Sequence, residues 1–491
     1  MRPLANAYSY ENQSVAIIGY GVTGKACVAF LLNKGAKVSV FDDSFNTSNK
    51  QSLANTENLT FCEVHEALDL REFDQVVVSP GVNLRKAFIQ NYIAHKGHAS
   101  AVIGDIELFA RQLNEINSGL VPGENPIKVV AVTGSNGKST VVDMLTKVLL
   151  KQGVNVALGG NFGTAALALI APNFILAGNN GHSEQNTSAP RIDIIVLELS
   201  SFQLESTFSL CPDIGCILNI SSDHLDRHGS MAAYTLAKQQ IYANAATVVF
   251  NRDDSATSPS SLENAISVGY NQFDGGQLGD STKHFYQTSK GIYCGQHFLF
   301  DASQVMGISQ FQLVNMQVVF ACCQILKVNL VLAAQSLGEY KGLPHRFETV
   351  YHSKTSIWIN DSKATNPGAC LAALESLAKQ VSHIILIAGG DAKGADIQML
   401  AHAMSTHVDR LILIGKDADL FTQFGTPFTR ANSIEDAVEK AKAYAGELAR
   451  NHDNPYIGVM LSPACASIDM FNNYQHRGQL FCQAVTAQVT A

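Results

Sequence analysis

Charge is scarce in this chain. Asp, Glu, Lys and Arg make up 15% of its 491 residues, the balance is −8, and no long basic run occurs. A nucleic-acid partner needs a clustered basic surface, so none is expected. No uninterrupted apolar stretch reaches membrane-spanning length, and residues 1–14 lack the apolar core of a secretory leader. The expectation is a soluble cytoplasmic protein with no membrane span. The ten cysteines have no zinc-site spacing: Cys27, Cys322, Cys323 and Cys370 stand in apolar settings, and Cys211 and Cys216 are too far apart to read as a ligand pair. Reduced, mostly buried thiols follow. What the chain does have is length enough for about three domains of ordinary size, with the clefts that lie between domains.

The stretch that organises the rest is residues 127–150. An apolar, β-branched run over 127–132 stops at glycine, as a buried parallel strand does. Val141, Val142, Leu145, Val148 and Leu149 then recur at helical spacing until Lys151 and Gly153 close the segment. Between them stand Thr133, Gly134, Ser135, Asn136, Gly137, Lys138, Ser139 and Thr140. Such a strand, tight loop and helix aim backbone N–H groups and a helix N-terminus at one point, with a lysine beside them and a hydroxyl for Mg²⁺. The ligand that suits them is a nucleoside triphosphate. The loop is shorter than the common P-loop, with only Ser135 and Asn136 between Gly134 and Gly137.

Upstream, a strand over 15–19 runs into Gly19-Tyr20-Gly21-Val22-Thr23-Gly24, a helix follows with Val28, Leu31 and Leu32 inward, and a second strand over 37–41 ends at Asp42-Asp43. This fingerprint suits a dinucleotide or any other nucleotide diphosphate. A third strand over 74–79 ends in Ser79-Pro80-Gly81, completing three βα units. Residues 114–126 read as a surface connection, 171–190 as a flexible insertion, and 252–290 carry no clear pattern. Strands are expected over 192–197, 216–220 and 247–250, then over 356–360, 383–388, 410–414 and 456–461. The fold class is therefore α/β with three domains in series: a Rossmann-like domain over 1–104, a central P-loop domain with a parallel sheet over 105–342, and a Rossmann-like C-terminal domain over 343–491.

Chemistry-bearing residues gather at the expected carboxyl ends of strands, where open α/β sheets keep their ligands. Glu198 ends one strand and could serve Mg²⁺. Asp223, His224, Asp226 and His228 follow the next, with His224 the better ligand candidate and His228 read as an ordinary loop residue. Lys238, on an expected helix, reads as a solvated lysine. In the third domain, Pro344-His345-Arg346, residues 360–366, Gly389-Gly390-Asp391-Ala392-Lys393 and residues 462–467 each resemble an ordinary turn when taken singly. Together they suggest a substrate site completed across a cleft.

Residues 133–140, Gly159-Gly160-Asn161, Leu197 to Gln203, Asp223 to Arg227, Leu343 to Glu348, Asp361 to Asn366, Gly389 to Lys393 and Leu461 to Gly478 together resemble the Mur ligase family of peptidoglycan synthesis, most closely its D-glutamate-adding branch. The likeness spans all three domains in order. It implies an ATP-dependent amide ligase acting on UDP-N-acetylmuramoyl-L-alanine and D-glutamate, a monomer using ATP and two Mg²⁺ ions. By the same resemblance Val22, Thr23, Asp42, Ser79 and Gly81 would hold the UDP moiety, while Asn161, Ser200 and His224 would position the muramoyl-alanine end. ATP would lie on Gly134 to Thr140 with Asn315, Arg346 and Asp361. Lys138, Glu198, His224 and Lys238 would be catalytic, with Ser139 and Glu198 on one Mg²⁺, His224 on a second, and Lys238 carrying a metal-binding carbamate. Thr365, Lys393, Ser467, Ile468 and Tyr474 would receive D-glutamate.

Two stretches depart from the family pattern. Where Gly-x-His-Asn-x-x-Asn is usual at the adenine site, residues 312–318 keep only Asn315, and Tyr474 stands where many relatives have Phe. The first departure is the support for one alternative, a silent paralogue that binds without turnover. The other alternative, a relative adding another amino acid, stands because that choice depends on a few side chains in the third domain. Asp453-Asn454-Pro455-Tyr456 lacks the arginine of the diaminopimelate branch and does not support that assignment.

Overall fold

The computed structural model describes residues 8–43, 58–65, 67–170, 191–272, 281–305 and 309–489; the insertion expected over 171–190 lies outside them. Parallel strands dominate. The first sheet contains β1 (Ser14–Ile18), β2 (Lys37–Phe41), β3 (Leu59–Cys62), β4 (Gln75–Val78) and β5 (Val102–Ile103), in the order β3-β2-β1-β4-β5. The two short edge strands, β3 and β5, escape a reading from periodicity because two to four residues carry too little pattern.

The second sheet contains β6 (Lys128–Thr133), β7 (Val156–Gly160), β8 (Ile194–Glu198), β9 (Ile214–Ile217), β10 (Thr247–Asn251) and β11 (Ala265–Val268), in the order β11-β10-β9-β6-β8-β7. Within the region that carried no clear pattern lie β11 and the start of a small antiparallel sheet of β12 (Phe285–Thr288), β13 (Gly291–Cys294) and β14 (His297–Asp301). The third sheet runs β15 (Glu348–His352), β16 (Ser356–Asn360), β20 (Ile457–Leu461), β17 (His383–Gly389), β18 (Arg410–Ile414) and β19 (Phe428–Arg430), parallel except for β15.

These strands read as continuous apolar runs because helices cover both faces of each sheet. One face of the first sheet, through Val15, Ile17, Val38 and Val40, and one face of the second, through Val129, Ala131, Ile195 and Leu197, belong to a single apolar cluster. The helix Asp105–Ser118 joins it with Ile106, Leu108, Phe109 and Leu113. The expected connection over 114–126 thus begins later, since residues 114–118 finish this helix. The opposite face of the second sheet packs with the helices Lys138–Lys151 and Gln310–Leu326.

In each large sheet the strand order reverses direction beside the first central strand, and loops diverge there to leave a crevice. At β1 and β4 the crevice is a cleft of about 660 Å³. The second opens between β6, β8 and the loops of the third domain.

Candidate functional site

The first cleft is lined by backbone more than by charge. Its walls include Gly19, Val22, Thr23, Asp42, Ser79, Gly81 and, from the second sheet, Asn161 and Gln203. Gly19 sits at φ +92°, and a side chain on Gly24 would collide with the Gly19 carbonyl at 2.1 Å, so both glycines are required for the turn. Ser79 Oγ donates to Gly19 O at 2.9 Å, and Asp42 accepts the Tyr20 N–H at 2.6 Å. The helix Val22–Asn33 starts here with no side-chain cap, leaving its first N–H groups for an anion.

The second site begins at the end of β6. Gly134 (φ +155°) and Gly137 (φ +83°) bend the loop into the helix Lys138–Lys151. Asn219, which the sequence did not single out, braces it: its carbonyl accepts from Ser135 N at 2.9 Å and its side chain from Asn136 N at 2.8 Å. Lys138 Nζ folds back to donate to Gly134 O at 2.6 Å and Ser135 O at 3.0 Å. Ser139 Oγ lies 2.5 Å from Glu198 Oε2, the other oxygen of Glu198 accepts from Asn161 at 2.7 Å, and Arg346 of the third domain donates to Ser139 Oγ at 2.8 Å. Ser200 caps the short helix Ser201–Leu204 through a reciprocal bond with Gln203.

Lys238 corrects the reading of a solvated lysine. It is 2% exposed, and its Nζ donates to Gly134 O at 2.9 Å, the same carbonyl that Lys138 uses. Burial, with the Lys138 cation adding to it, pushes its pKa well below the ordinary lysine value. Burial also lowers Lys138, against the pull of Glu198 and Asp223. Two lysines on one carbonyl explain why neither cation is comfortable without an anion. The motif identifies Lys138; only packing turns Lys238 inward.

His224 holds φ +54° at the start of the turn Leu225–His228, packs on Phe202, and is lowered by burial, with Asp223 opposing and Lys393 reinforcing. His228, read from the sequence as an ordinary loop residue, is instead buried at the end of that turn and meets Ser201 Oγ at 3.0 Å.

From the third domain, Asn366 donates to Asn136 and to Asp223, each at 3.3 Å. Asp361 accepts from Ser462 Oγ at 2.8 Å and Phe347 N at 3.1 Å, and burial lifts it to about 7. Lys363 lies over the Tyr474 ring at 4.2 Å and faces Arg346, Lys138, Glu198 and Asp223; burial lowers it to about 8. It stood within the polar stretch 360–366, yet nothing in the sequence separated it from its neighbours. Arg477, fully buried, clasps Ser362 O at 2.8 Å and Cys465 O at 3.2 Å, tying together the loops after β16 and β20. Near them Ser467 is buried, Thr365 and Tyr474 are half-buried, and Lys393 and Ile468 are exposed. Asn315 presses against the P-loop, since a side chain on Gly137 would meet its Oδ1 at 2.7 Å.

Among the described residues, His345, Glu348 and Cys482 also bring ligand-type atoms within 4.8 Å of one another. The Asn360 amide fills that space, at 2.8 Å from His345 Nδ1, 3.2 Å from Glu348 Oε2 and 3.1 Å from Cys482 Sγ, so the cluster is a hydrogen-bonded hub. The cysteines of the described chain are free thiols, seven of them buried, and none of the described helices is long and apolar enough to cross a membrane.

Comparison with known proteins identifies this arrangement. Residues 13–102 match the Mur ligase MurD-like N-terminal domain, 132–323 the Mur ligase middle domain, and 345–454 the Mur ligase, glutamate ligase domain. The UDP-N-acetylmuramoylalanine--D-glutamate ligase of Pseudoalteromonas translucida (strain TAC 125) is 38% identical, over 97% of this chain and 98% of that protein. The crystal structure of MurF from Acinetobacter baumannii shares the fold at TM-score 0.57 and 16% identity, covering 97% of this chain and 91% of that one. That of the MurF ligase from Thermotoga maritima in complex with ADP does so at TM-score 0.55 and 14% identity, covering 99% and 97%.

Proposed function

The chain belongs to the Mur ligase family, and from that premise we propose that it joins D-glutamate to the alanyl carboxylate of UDP-N-acetylmuramoyl-L-alanine at the expense of ATP, in peptidoglycan precursor synthesis. The observation that carries this reading is the convergence of Lys138, Ser139, Glu198 and Asn161 from the central sheet with Arg346 from the third domain. A P-loop, a carboxylate and a cation from another domain meet where a triphosphate would lie. The D-glutamate ligase from Pseudoalteromonas translucida supports the choice of substrates.

In this assignment the first domain, over residues 1–104, takes the UDP moiety. Its diphosphate lies on the N-terminus of the helix Val22–Asn33 with Val22 and Thr23, and the uridine lies by Asp42, Ser79 and Gly81. Asn161, Ser200 and His224 direct the alanyl carboxylate toward the P-loop. Residues 105–342 hold the ATP phosphates on Gly134 to Thr140. Residues 343–491 bring Arg346 and Asp361 to the nucleotide and offer D-glutamate to Thr365, Lys393, Ser467, Ile468 and Tyr474.

The adjacent Ser139 hydroxyl and Glu198 carboxylate are the hard oxygen donors that Mg²⁺ prefers. His224 and Lys238 are assigned to a second ion. Burial shifts Lys238 toward the neutral amine, the form of lysine that adds CO₂, and the resulting carbamate exchanges a cation for a metal-binding anion. Bound Mg²⁺ neutralises phosphate charge and aligns the triphosphate.

The alanyl carboxylate attacks the γ-phosphorus and ADP leaves, giving an acyl phosphate. Two anions approach one another in this step, so Lys138 and Arg346 lower the barrier by absorbing charge that grows in the transition state. The amine of D-glutamate then attacks the activated carbonyl, and phosphate departs from the tetrahedral intermediate to leave an amide. Closure of the third domain over the P-loop keeps water from the acyl phosphate. We assign the protein to the cytoplasm, acting as a monomer.

Phosphate release from ATP with Mg²⁺ and UDP-N-acetylmuramoyl-L-alanine, compared across D-glutamate, L-glutamate, L-lysine and diaminopimelate, tests the reading. Release that requires D-glutamate, with the amide product seen by mass, is expected. Release with another amino acid moves the protein to a different branch. Silence with all four, despite binding of the UDP substrate, replaces the enzyme with a binding paralogue.

A further inference from the structure

Arg346 reaches from the third domain to the P-loop, where it donates to Ser139 Oγ at 2.8 Å. Its neighbours on both sides, His345 at φ +63° and Phe347 at φ +50°, hold left-handed conformations that residues with a side chain seldom adopt. A turn of that shape persists only where its surroundings hold it.

The restraints come from the end of β16. Lys363 N donates to His345 O at 3.1 Å, and Phe347 N donates to Asp361 Oδ1 at 3.1 Å. His345 N donates to Glu348 Oε2 at 2.8 Å, and Glu348 stands opposite Asn360 in the pairing of β15 with β16. Asn360 is fully buried, and its neighbours fix which way its amide points. The oxygen accepts from Ser362 N at 3.2 Å. The NH₂ group therefore faces four acceptors: His345 Nδ1 at 2.8 Å, Cys482 Sγ at 3.1 Å, Glu348 Oε2 at 3.2 Å and Gly478 O at 3.3 Å. His345 thus accepts at Nδ1 and carries its proton on Nε2. Its ring packs directly on the backbone of the helix Tyr474–Val489, where a side chain on Gly478 would meet Nδ1 at 2.4 Å.

We propose that Asn360 and Glu348 are positioning residues for Arg346: together they pin the ring and the N–H of His345, and so fix the turn that aims the guanidinium at the phosphate end of the central site. The role rests on the assignment of Arg346 to the triphosphate. Asn360 acts through His345, whose backbone carries Arg346, and the same amide ties that turn to the helix that begins at Tyr474.

A double-mutant cycle on the full chain tests the role, with turnover measured on ATP, Mg²⁺, UDP-N-acetylmuramoyl-L-alanine and D-glutamate. Arg346→Ala is expected to lower kcat about a thousandfold. Asn360→Ala is expected to lower it about a hundredfold, with KM for the UDP substrate within twofold in both. The double variant should be no slower than Arg346→Ala alone, because a misplaced guanidinium and an absent one fail at the same step. Trp358, the single tryptophan of the chain, is buried on β16, and its unchanged fluorescence reports that the third domain is folded. Where Asn360→Ala does not fold, Glu348→Ala takes its place in the cycle with the same expectation, at a side chain 37% exposed. Losses that multiply, to about a hundred-thousandfold in the double variant, overturn the positioning role and spare that of Arg346. A folded Asn360→Ala protein with full turnover does the same. Full turnover in Arg346→Ala overturns the assignment of Arg346 to the triphosphate, and the positioning role with it.

Discussion

Around the ends of β1 and β4 the cleft is walled by glycines, a serine and the free start of a helix; of its charged groups Asp42 is engaged with the backbone of Tyr20, and Asp43 and Lys86 face one another at 4.0 Å. Around the ends of β6 and β8 the groups are Lys138, Lys238, Arg346 and Lys363 facing Glu198, Asp223 and Asp361, drawn from two domains and held by shared burial. The first cleft can recognise a ligand without changing its own charge. The second is poised by mutual electrostatics: Lys138, Lys238 and Lys363 are lowered and Asp361 is raised, so these groups await an anion or a cation to balance them. Binding and chemistry have been assigned to different materials.

The sharpest way to break that contrast is Lys138→Ala. Turnover is expected to fall about a thousandfold, while calorimetry finds UDP-substrate affinity within twofold. Turnover near the starting value would end the P-loop assignment. Lys238→Ala comes next, with a loss of about a hundredfold expected, and Lys238→Arg failing equally because a guanidinium cannot lose its charge. With ¹³CO₂, a carbamate carbon resonance present in the unaltered protein and absent from both variants would tie the loss to Lys238 itself.

Lys363 gives the pH test. Its folded value of about 8 lies below the ordinary 10.5, so ADP affinity should weaken as pH rises through 8 and the cation is lost. Stability of the ligand-free protein should move the opposite way. Between 8 and 10.5 the unfolded chain binds the extra proton, so stability rises with pH across that window. Lys363→Met should flatten both curves, and a binding curve that keeps its slope in the variant would assign the titration to another group. The smallest effect belongs to the first cleft. Ser79→Ala removes the bond to Gly19 O, and a hydrogen bond worth about 1 kcal/mol should raise KM for the UDP substrate about fivefold with kcat unchanged. A fall in kcat would show that the two clefts are not separable.

The central elements were legible because their signals are local. Strand β2, strand β16 and strand β18 have the limits that alternation of apolar runs and turn residues led one to expect, and the P-loop helix announced itself by glycine before and apolar spacing after. The short edge strands and β11 to β14 were not legible, since each is stabilised by its neighbours more than by its own pattern. The same division runs through the site. Glu198 and His224 could be suspected from their place after apolar strands, whereas Asn219, Lys363 and Arg477 act through contacts with residues far away in the chain.

Lys138 and Lys238 put the boundary most plainly. A loop of fixed backbone geometry specifies Lys138, because positive-φ glycines and a helix N-terminus need no distant partner to form a phosphate cradle. The sequence by itself also determined the α/β class, the order of three domains and the family. Lys238 is an ordinary helical lysine until the second sheet packs its helix against the P-loop and buries the amine on Gly134 O, 104 residues away. The family resemblance named Lys238, but its burial and the field of neighbouring charges, which set its chemistry apart from other helical lysines, are properties of the assembled fold alone.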